Sequence, residues 1–227
     1  MNPIFFITGT DTGAGKTVLT ALLTRCLHAR SIRVAALKPL CSGGRADARV
    51  LHAALEGSLT LDEINPWHFR APVAPALAAM REEKSVTLRA VTSYIRAVQN
   101  KFEVTFVEGA GGLMSPLGKI FDSRDLIVEL QAAPIIVAQN KLGAVNHILL
   151  TLAALPKNLR IKTQVVLMSP PKADAASRSN AALLGQFFPP GKIFTLPWLG
   201  NNFSQEAVLR KPAIQRVLQK LLAGARP

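Results

Sequence analysis

Residues Gly9 to Thr17 read GTDTGAGKT and follow the apolar run Pro3 to Ile7. The glycines of this segment let successive backbone N–H groups turn toward one point, where phosphate oxygens can accept from them. Lys16 adds a positive charge beside the outer phosphates, and the Thr17 hydroxyl is placed to ligate Mg²⁺. The chemistry is that of a P-loop, which binds a nucleoside triphosphate at the turn between a strand and a helix. On this reading Gly13, Ala14, Gly15, Lys16, Thr17 and Val18 contact the nucleotide.

Three further segments follow apolar, strand-like runs and should reach the same edge of a sheet. They are Lys38-Pro-Leu-Cys-Ser42-Gly-Gly, Glu108-Gly-Ala-Gly-Gly112 and Lys141 to His147. Glu108 ends an apolar run, where a carboxylate needs a reason. In P-loop folds an acid there lies on or near Mg²⁺. The glycines after it can expose N–H groups to an anion. Lys38 stands at a strand end beside the P-loop, which favours an anion-binding role over a plain surface lysine. Asp47 opens a helix and can serve as an N-cap or as a second carboxylate on Mg²⁺. Ser42 offers a loop hydroxyl to a substrate. His28, His52, His68 and His147 have no metal-ligand spacing. Asn140-Lys141-Leu142-Gly143 is similar to the Asn-Lys-x-Asp guanine reader of GTPases but lacks its Asp, so it is not taken as base readout.

The elements that position these residues alternate along the chain. Short apolar strands are expected at Ile4–Thr8, Val34–Leu37, Val104–Val107, Pro134–Ala138, Thr163–Leu167 and Ile193–Leu196. Helices are expected at Lys16–Ala29, Asp47–Leu55, Thr87–Gln99, Arg124–Leu130, Ala144–Leu155, Ala175–Phe187 and Ala213–Leu222. The stretch Ser58–Pro75, broken by Pro66, Pro72 and Pro75, reads as irregular. Continuous apolar strands between amphipathic helices predict an α/β, P-loop NTPase-type three-layer fold, with a mostly parallel sheet covered on both faces. The 227 residues suit one domain spanning 1–227.

Composition narrows the class. Apolar residues make up 49% and charged residues 18%, which excludes disorder. No apolar run is long enough to span a membrane, and the first strand begins at once, so neither an anchor nor a signal peptide is expected. The two cysteines do not suggest a disulfide framework; a reduced, cytoplasmic protein is expected. The formal charge of +13 is unusual. Lys and Arg are scattered, without a basic block or interleaved aromatics. A solvated basic surface or a funnel for anionic substrates is therefore favoured over a nucleic-acid partner.

Taken together, GTDTGAGKT, LKPLCSG, Asp47, APVAP at Ala71–Pro75, VEGAGGLMSPL at Val107–Leu117, KLGAVNH at Lys141–His147 and LPWL at Leu196–Leu199 resemble the dethiobiotin synthetases, ATP-dependent ligases of biotin biosynthesis. The motifs run in the family's order across nearly the whole chain. The resemblance implies a homodimer that converts 7,8-diaminononanoate, CO₂ or bicarbonate, and ATP to dethiobiotin. It further implies that Lys38 and Lys16 are catalytic and that Thr17, Asp47 and Glu108 hold Mg²⁺. Thr12 and Ser42 would touch the diamine or its carbamate. The Gly111 N–H and Asn146, the latter from the partner subunit, would meet the substrate's carboxylate tail. Glu108, Gly109, Ala110 and Gly111, with Met168, Pro197, Trp198 and Leu199, would complete the nucleotide site.

Two departures stand out. Several members carry Glu where this chain has Gly13. Many have an adenine-reading Asn at the strand end that here reads Val166-Leu-Met168-Ser169, so discrimination among nucleoside triphosphates is expected to be weak. The rival readings are a switch ATPase of the partitioning type and an amide-forming ligase of cobalamin synthesis. The first carries a signature lysine where this chain has Asp11; the second usually adds an amidotransferase domain.

Overall fold

The computed structural model describes residues 2–201 and 203–223. Its first half runs β1 (Ile4–Gly9), α1 (Lys16–His28), β2 (Val34–Leu37), β3 (Leu40–Ser42), α2 (Ala46–Ala54), α3 (Leu61–Ile64), β4 (Trp67–Phe69), α4 (Pro75–Arg81), α5 (Leu88–Gln99) and β5 (Val104–Gly112). The second half runs α6 (Ser123–Leu130), β6 (Ala133–Gln139), α7 (Ala144–Ala154), α8 (Lys157–Arg160), β7 (Gln164–Met168), α9 (Ala175–Leu184), β8 (Ile193–Leu196), α10 (Gln205–Leu209) and α11 (Pro212–Ala223).

Six strands form one parallel sheet in the order β2-β5-β1-β6-β7-β8. The centre of the sheet is the strand that feeds the P-loop, and all six residues of β1 are buried. Burial on both faces explains why these strands read as continuous apolar runs. Successive residues of β6 still part company: Ile135 and Val137 join the main core, while Ile136 and Ala138 pack with Ile148 of α7 and Leu184 of α9. The period of two in a strand dictates that division.

The expected strands and helices are present, with ends displaced by a residue or a few. Three expectations change. Ser58–Pro75 is not irregular throughout. Thr60 and Glu63 form a reciprocal capping box that starts α3, and β4 pairs in parallel with β3. These pieces are three or four residues long, too short to display a period. Second, α4 follows Ala74, with Pro75 at its first position. Third, β5 does not stop at Val107. It continues through Glu108 to Gly112, so Glu108 lies within a strand, opposite Ile7 of β1.

The sheet also sorts the charge. Segments that enter strands carry exposed Arg30, Arg33, Lys101, Lys157 and Lys162, with Glu103 as their one acid among the described residues. These cations lie at the edge of the sheet away from the P-loop, so a good part of the +13 is not a funnel into the site.

Candidate active site

The P-loop begins as β1 ends. Five residues separate Gly9 from Gly15, one more than in the G-x-x-x-x-G-K-T form of the loop. The register between β1 and β5 slips between Ile7 and Gly9, which frees the chain to turn. Gly15 precedes the first helical residue, Lys16, and no side chain caps α1. The N–H groups of Gly13, Ala14 and Gly15 donate to no acceptor among the described residues. Uncapped N–H groups at a helix N-terminus are an anion cradle.

Behind the loop lies a buried charge cluster. Lys38 Nζ, 3% exposed, donates to Glu108 Oε1 at 2.7 Å and to the Gly109 carbonyl at 2.9 Å. It also pairs with Asp47 Oδ2 at 3.1 Å. The Thr17 hydroxyl donates to the same Glu108 Oε1 at 2.7 Å. Buried Asn65 donates to the Lys38 carbonyl at 2.7 Å and fixes the backbone that launches the lysine. Asp47 is in the first turn of α2 but caps nothing, which leaves its carboxylate to Lys38.

Burial pulls the Lys38 ammonium toward a low pKa, but Glu108 and Asp47 outweigh it and hold the group above its ordinary value. Burial likewise opposes ionisation of Asp47, and the charge of Lys38 overrides it and lowers that carboxyl. Lys16 has no such neighbour in contact. Its Nζ donates to the Asp11 carbonyl at 3.0 Å, and burial together with the like charge of Lys38 lowers its pKa to about 8.

Glu108 Oε2 is buried and has no hydrogen-bond partner among the described residues. Such an atom is costly unless something meets it. With the Thr17 hydroxyl and Asp47 beside it, the donor set is all hard oxygen, which fits Mg²⁺ completed by phosphates and water rather than an all-protein metal cage. The described residues hold no cluster of three or more His, Cys, Asp or Glu for a metal.

Two cavities meet at the P-loop and share Gly13, Gly15 and Val18. The larger, about 850 Å³, is lined by Thr12, Lys16, Thr17, Lys38, Ser42 and Asp47, together with Ala110 and Gly111. The second, about 500 Å³, is walled by Ala14, Met168, Pro197, Trp198 and Leu199. A triphosphate seated on the loop would therefore direct its base one way and its γ-phosphate the other. Gly111 has φ +70°, and a Cβ there would overlap Ser115 Oγ, so any other residue would be strained. Ser115 Oγ in turn accepts from the Gly112 N–H at 2.9 Å.

The structure thus brings together Thr12, Gly13, Ala14, Gly15, Lys16, Thr17, Val18, Lys38, Ser42, Asp47, Glu108, Gly109, Ala110 and Gly111, and sets Met168 and Pro197–Leu199 against the same loop. Two residues behave otherwise. Ser42 lines the larger cavity but donates its proton to the Val73 carbonyl, so it can offer a substrate only its lone pairs. Asn146 is exposed on the first turn of α7 and lines neither cavity of this chain.

Sequence reasoning missed two groups. The first is the Ala71–Pro75 segment as a wall of the larger cavity, visible before only as a motif. The second is the structural tie made by Asn140, which the sequence showed only as part of a motif declined as base readout. Asn140 is buried, accepts from Asn180 at 2.9 Å and donates to the Ser177 carbonyl at 2.8 Å. Its amide ties β6 to α9.

A strand–P-loop–helix at the centre of a parallel sheet, with a lysine, an aspartate and a glutamate gathered behind it, defines a P-loop nucleoside-triphosphate-binding protein. Residues 4–201 match the family described as AAA domain. The chain is 41% identical to ATP-dependent dethiobiotin synthetase BioD of Anaeromyxobacter sp. (strain Fw109-5), over 71% of this chain and 74% of that protein. It is 37% identical to the protein of that name from Anaeromyxobacter dehalogenans (strain 2CP-C), over 85% and 89%. It belongs to the dethiobiotin synthetase family. Among solved structures, pNOB8 ParA bound to nonspecific DNA aligns with a TM-score of 0.61 at 11% identity, over 99% of this chain and 98% of that one. A ParA family ATPase from Chlorobium tepidum TLS aligns at 0.58 and 16%, over 99% and 97%. At such identities the likeness is one of fold.

Proposed function

We propose that this chain is an ATP-dependent dethiobiotin synthetase acting on 7,8-diaminononanoate and CO₂. The observation that carries the reading is Lys38, held between Glu108 and Asp47 in the wall of the larger cavity beside the P-loop. One amine of the diamine takes up CO₂ to give a carbamate. A carbamate oxygen attacks the γ-phosphorus, the bond to ADP breaks, and a carbamic–phosphoric anhydride forms. The second amine then attacks the carbamoyl carbon, phosphate leaves, and the cyclic urea closes.

Every species along this path is anionic, so the work of the chain is placement and charge stabilisation. Lys16 meets the outer phosphates. Lys38, pinned by three partners, faces the carbamate and the γ-phosphoryl group without having to reorganise. Ala110 and Gly111 wall the larger cavity with Thr12 and Ser42, where the diamine would lie. Thr17, Asp47 and Glu108 would hold Mg²⁺. When bound, that ion would neutralise charge on the β- and γ-phosphates. Met168, Pro197, Trp198 and Leu199 enclose the base.

Asn146 is assigned to the site of a partner subunit, because it is exposed and lines neither cavity of its own chain. The reading includes a single domain over 1–227, a homodimer and a cytoplasmic location. Among the described residues no helix is long and apolar enough to cross a membrane. The test is an assay with diaminononanoate, bicarbonate, Mg²⁺ and ATP, following phosphate and dethiobiotin together. Stoichiometric dethiobiotin is expected; phosphate release that ignores the diamine would overturn the reading in favour of a switch ATPase.

A further inference from the structure

Gly13 stands at an open point of the P-loop. Its φ is +71°, and a Cβ built there would meet nothing within 4 Å. With neither side chain nor packing, the peptide joining Gly13 to Ala14 has little of its own to fix which way it faces. Yet its orientation matters, because the N–H of one residue and the C=O of the one before it share a trans peptide plane and point in opposite directions. The direction of the Gly13 carbonyl therefore sets that of the Ala14 N–H, one of the unpartnered donors of the cradle.

One side chain reaches that carbonyl. Gln139 Nε2 donates to Gly13 O at 3.0 Å, across 126 residues of sequence. The position from which it reaches is rigid. Gln139 ends β6 and pairs with Met168 of β7. The next residue, Asn140, donates its backbone N–H to the Met168 carbonyl at 2.8 Å and is clasped to Asn180 and Ser177. A strand end fixed by its own hydrogen bonds thus holds a peptide of the loop that has no packing of its own.

We propose that Gln139 is a positioning residue that presets the phosphate cradle by holding the Gly13–Ala14 peptide in one orientation. The proposal rests on the P-loop being the triphosphate site. It requires a donor at position 139, not merely bulk. Gln139 is exposed, so its replacement should leave the nucleotide-free protein folded.

The test compares Gln139→Met, which keeps the length but removes the donor, with Gln139→Lys, which keeps a donor. Steady-state kinetics are measured against ATP, and melting temperature is measured without nucleotide. Gln139→Met should raise the KM for ATP by about threefold to tenfold, the scale of one lost hydrogen bond. Its kcat should stay within about twofold and its melting temperature should not change. Gln139→Lys should keep the KM at or below that of the unaltered protein. An unchanged KM in Gln139→Met, or an equal rise in both variants, overturns the proposal. Failure of the unaltered protein to bind ATP at all would instead remove the nucleotide reading on which it stands.

Discussion

Lys38 and Glu108 lie 2.7 Å apart, nitrogen to oxygen, and both are essentially closed to solvent. A buried pair of this kind is strongly destabilised by removing one partner, since the other charge is left without compensation. Lys38→Ala should therefore lower stability by about 3 to 5 kcal/mol in chemical denaturation. It should also cut kcat by a factor of about 10² to 10³, the scale of losing one preorganised charge contact in a transition state. Full turnover in this variant would refute the role given to Lys38. A second variant, Lys38→Met, replaces the lysine by an apolar chain and reads the kinetic loss against a different stability background.

Lys16 gives a pH-dependent signature. Its pKa is lowered to about 8 in the protein without nucleotide. Folding disfavours its charged form, so this group lowers stability below pH 8, and the loss is relieved as pH rises from about 8 toward its ordinary value. A triphosphate supplies the missing negative charge and should raise the pKa again. ATP binding at about pH 8.5 should then be accompanied by proton uptake. Calorimetry in two buffers of different ionisation enthalpy measures it; buffer-independent heats would contradict the assignment.

The base cavity predicts loose nucleotide choice. Met168 at the end of β7 offers no amide to a base, and the side chains of Asn140 and Asn180 are bonded to each other. Its walls at Met168, Pro197, Trp198 and Leu199 can stack on any base. The kcat/KM values for ATP, GTP and CTP should agree within about tenfold, against the larger ratios of sites that hydrogen-bond their ligand. A strong preference for ATP would contradict this and point to the polar residues that also line the cavity, such as Lys141 and Ser169.

Subunit sharing can be tested by complementation. Lys38→Ala and Asn146→Ala chains should each be poorly active. Mixed under conditions that exchange subunits, they should regain up to about a quarter of full activity, because hybrid dimers hold one intact site. No recovery, with exchange verified, would place Asn146 outside the partner's site.

Gly111→Ala should lower activity more than stability. The new Cβ would strike Ser115 Oγ and force a positive φ on alanine, at a cost of about 1 to 3 kcal/mol. The KM for the diamine should rise while ATP binding alone, followed by calorimetry, changes little.

The sheet, its helices and the P-loop were legible because continuous apolar runs and helical stripes leave a trace in the sequence. The site was legible where a charged residue closed an apolar run, as at Lys38 and Glu108. What escaped was of two kinds. Pieces such as β3, β4 and α3 are shorter than any period. Contacts such as Gln139 with Gly13, or Asn140 with Asn180, join residues far apart in sequence and of unremarkable type. That Ser42 gives its proton to Val73 also depends on where a loop folds back, which composition does not encode.

β1 is wholly buried at the middle of the sheet, and the loop that holds phosphate is its direct continuation into α1, whose inner face is equally deep. The ligand thus attaches to the keel of the molecule and not to a flap on its side. Occupancy should be felt by the chain as a whole: nucleotide would raise the single cooperative melting transition and slow proteolysis at sites far from the P-loop. Heat or protease resistance can then serve as a direct gauge of how full the site is.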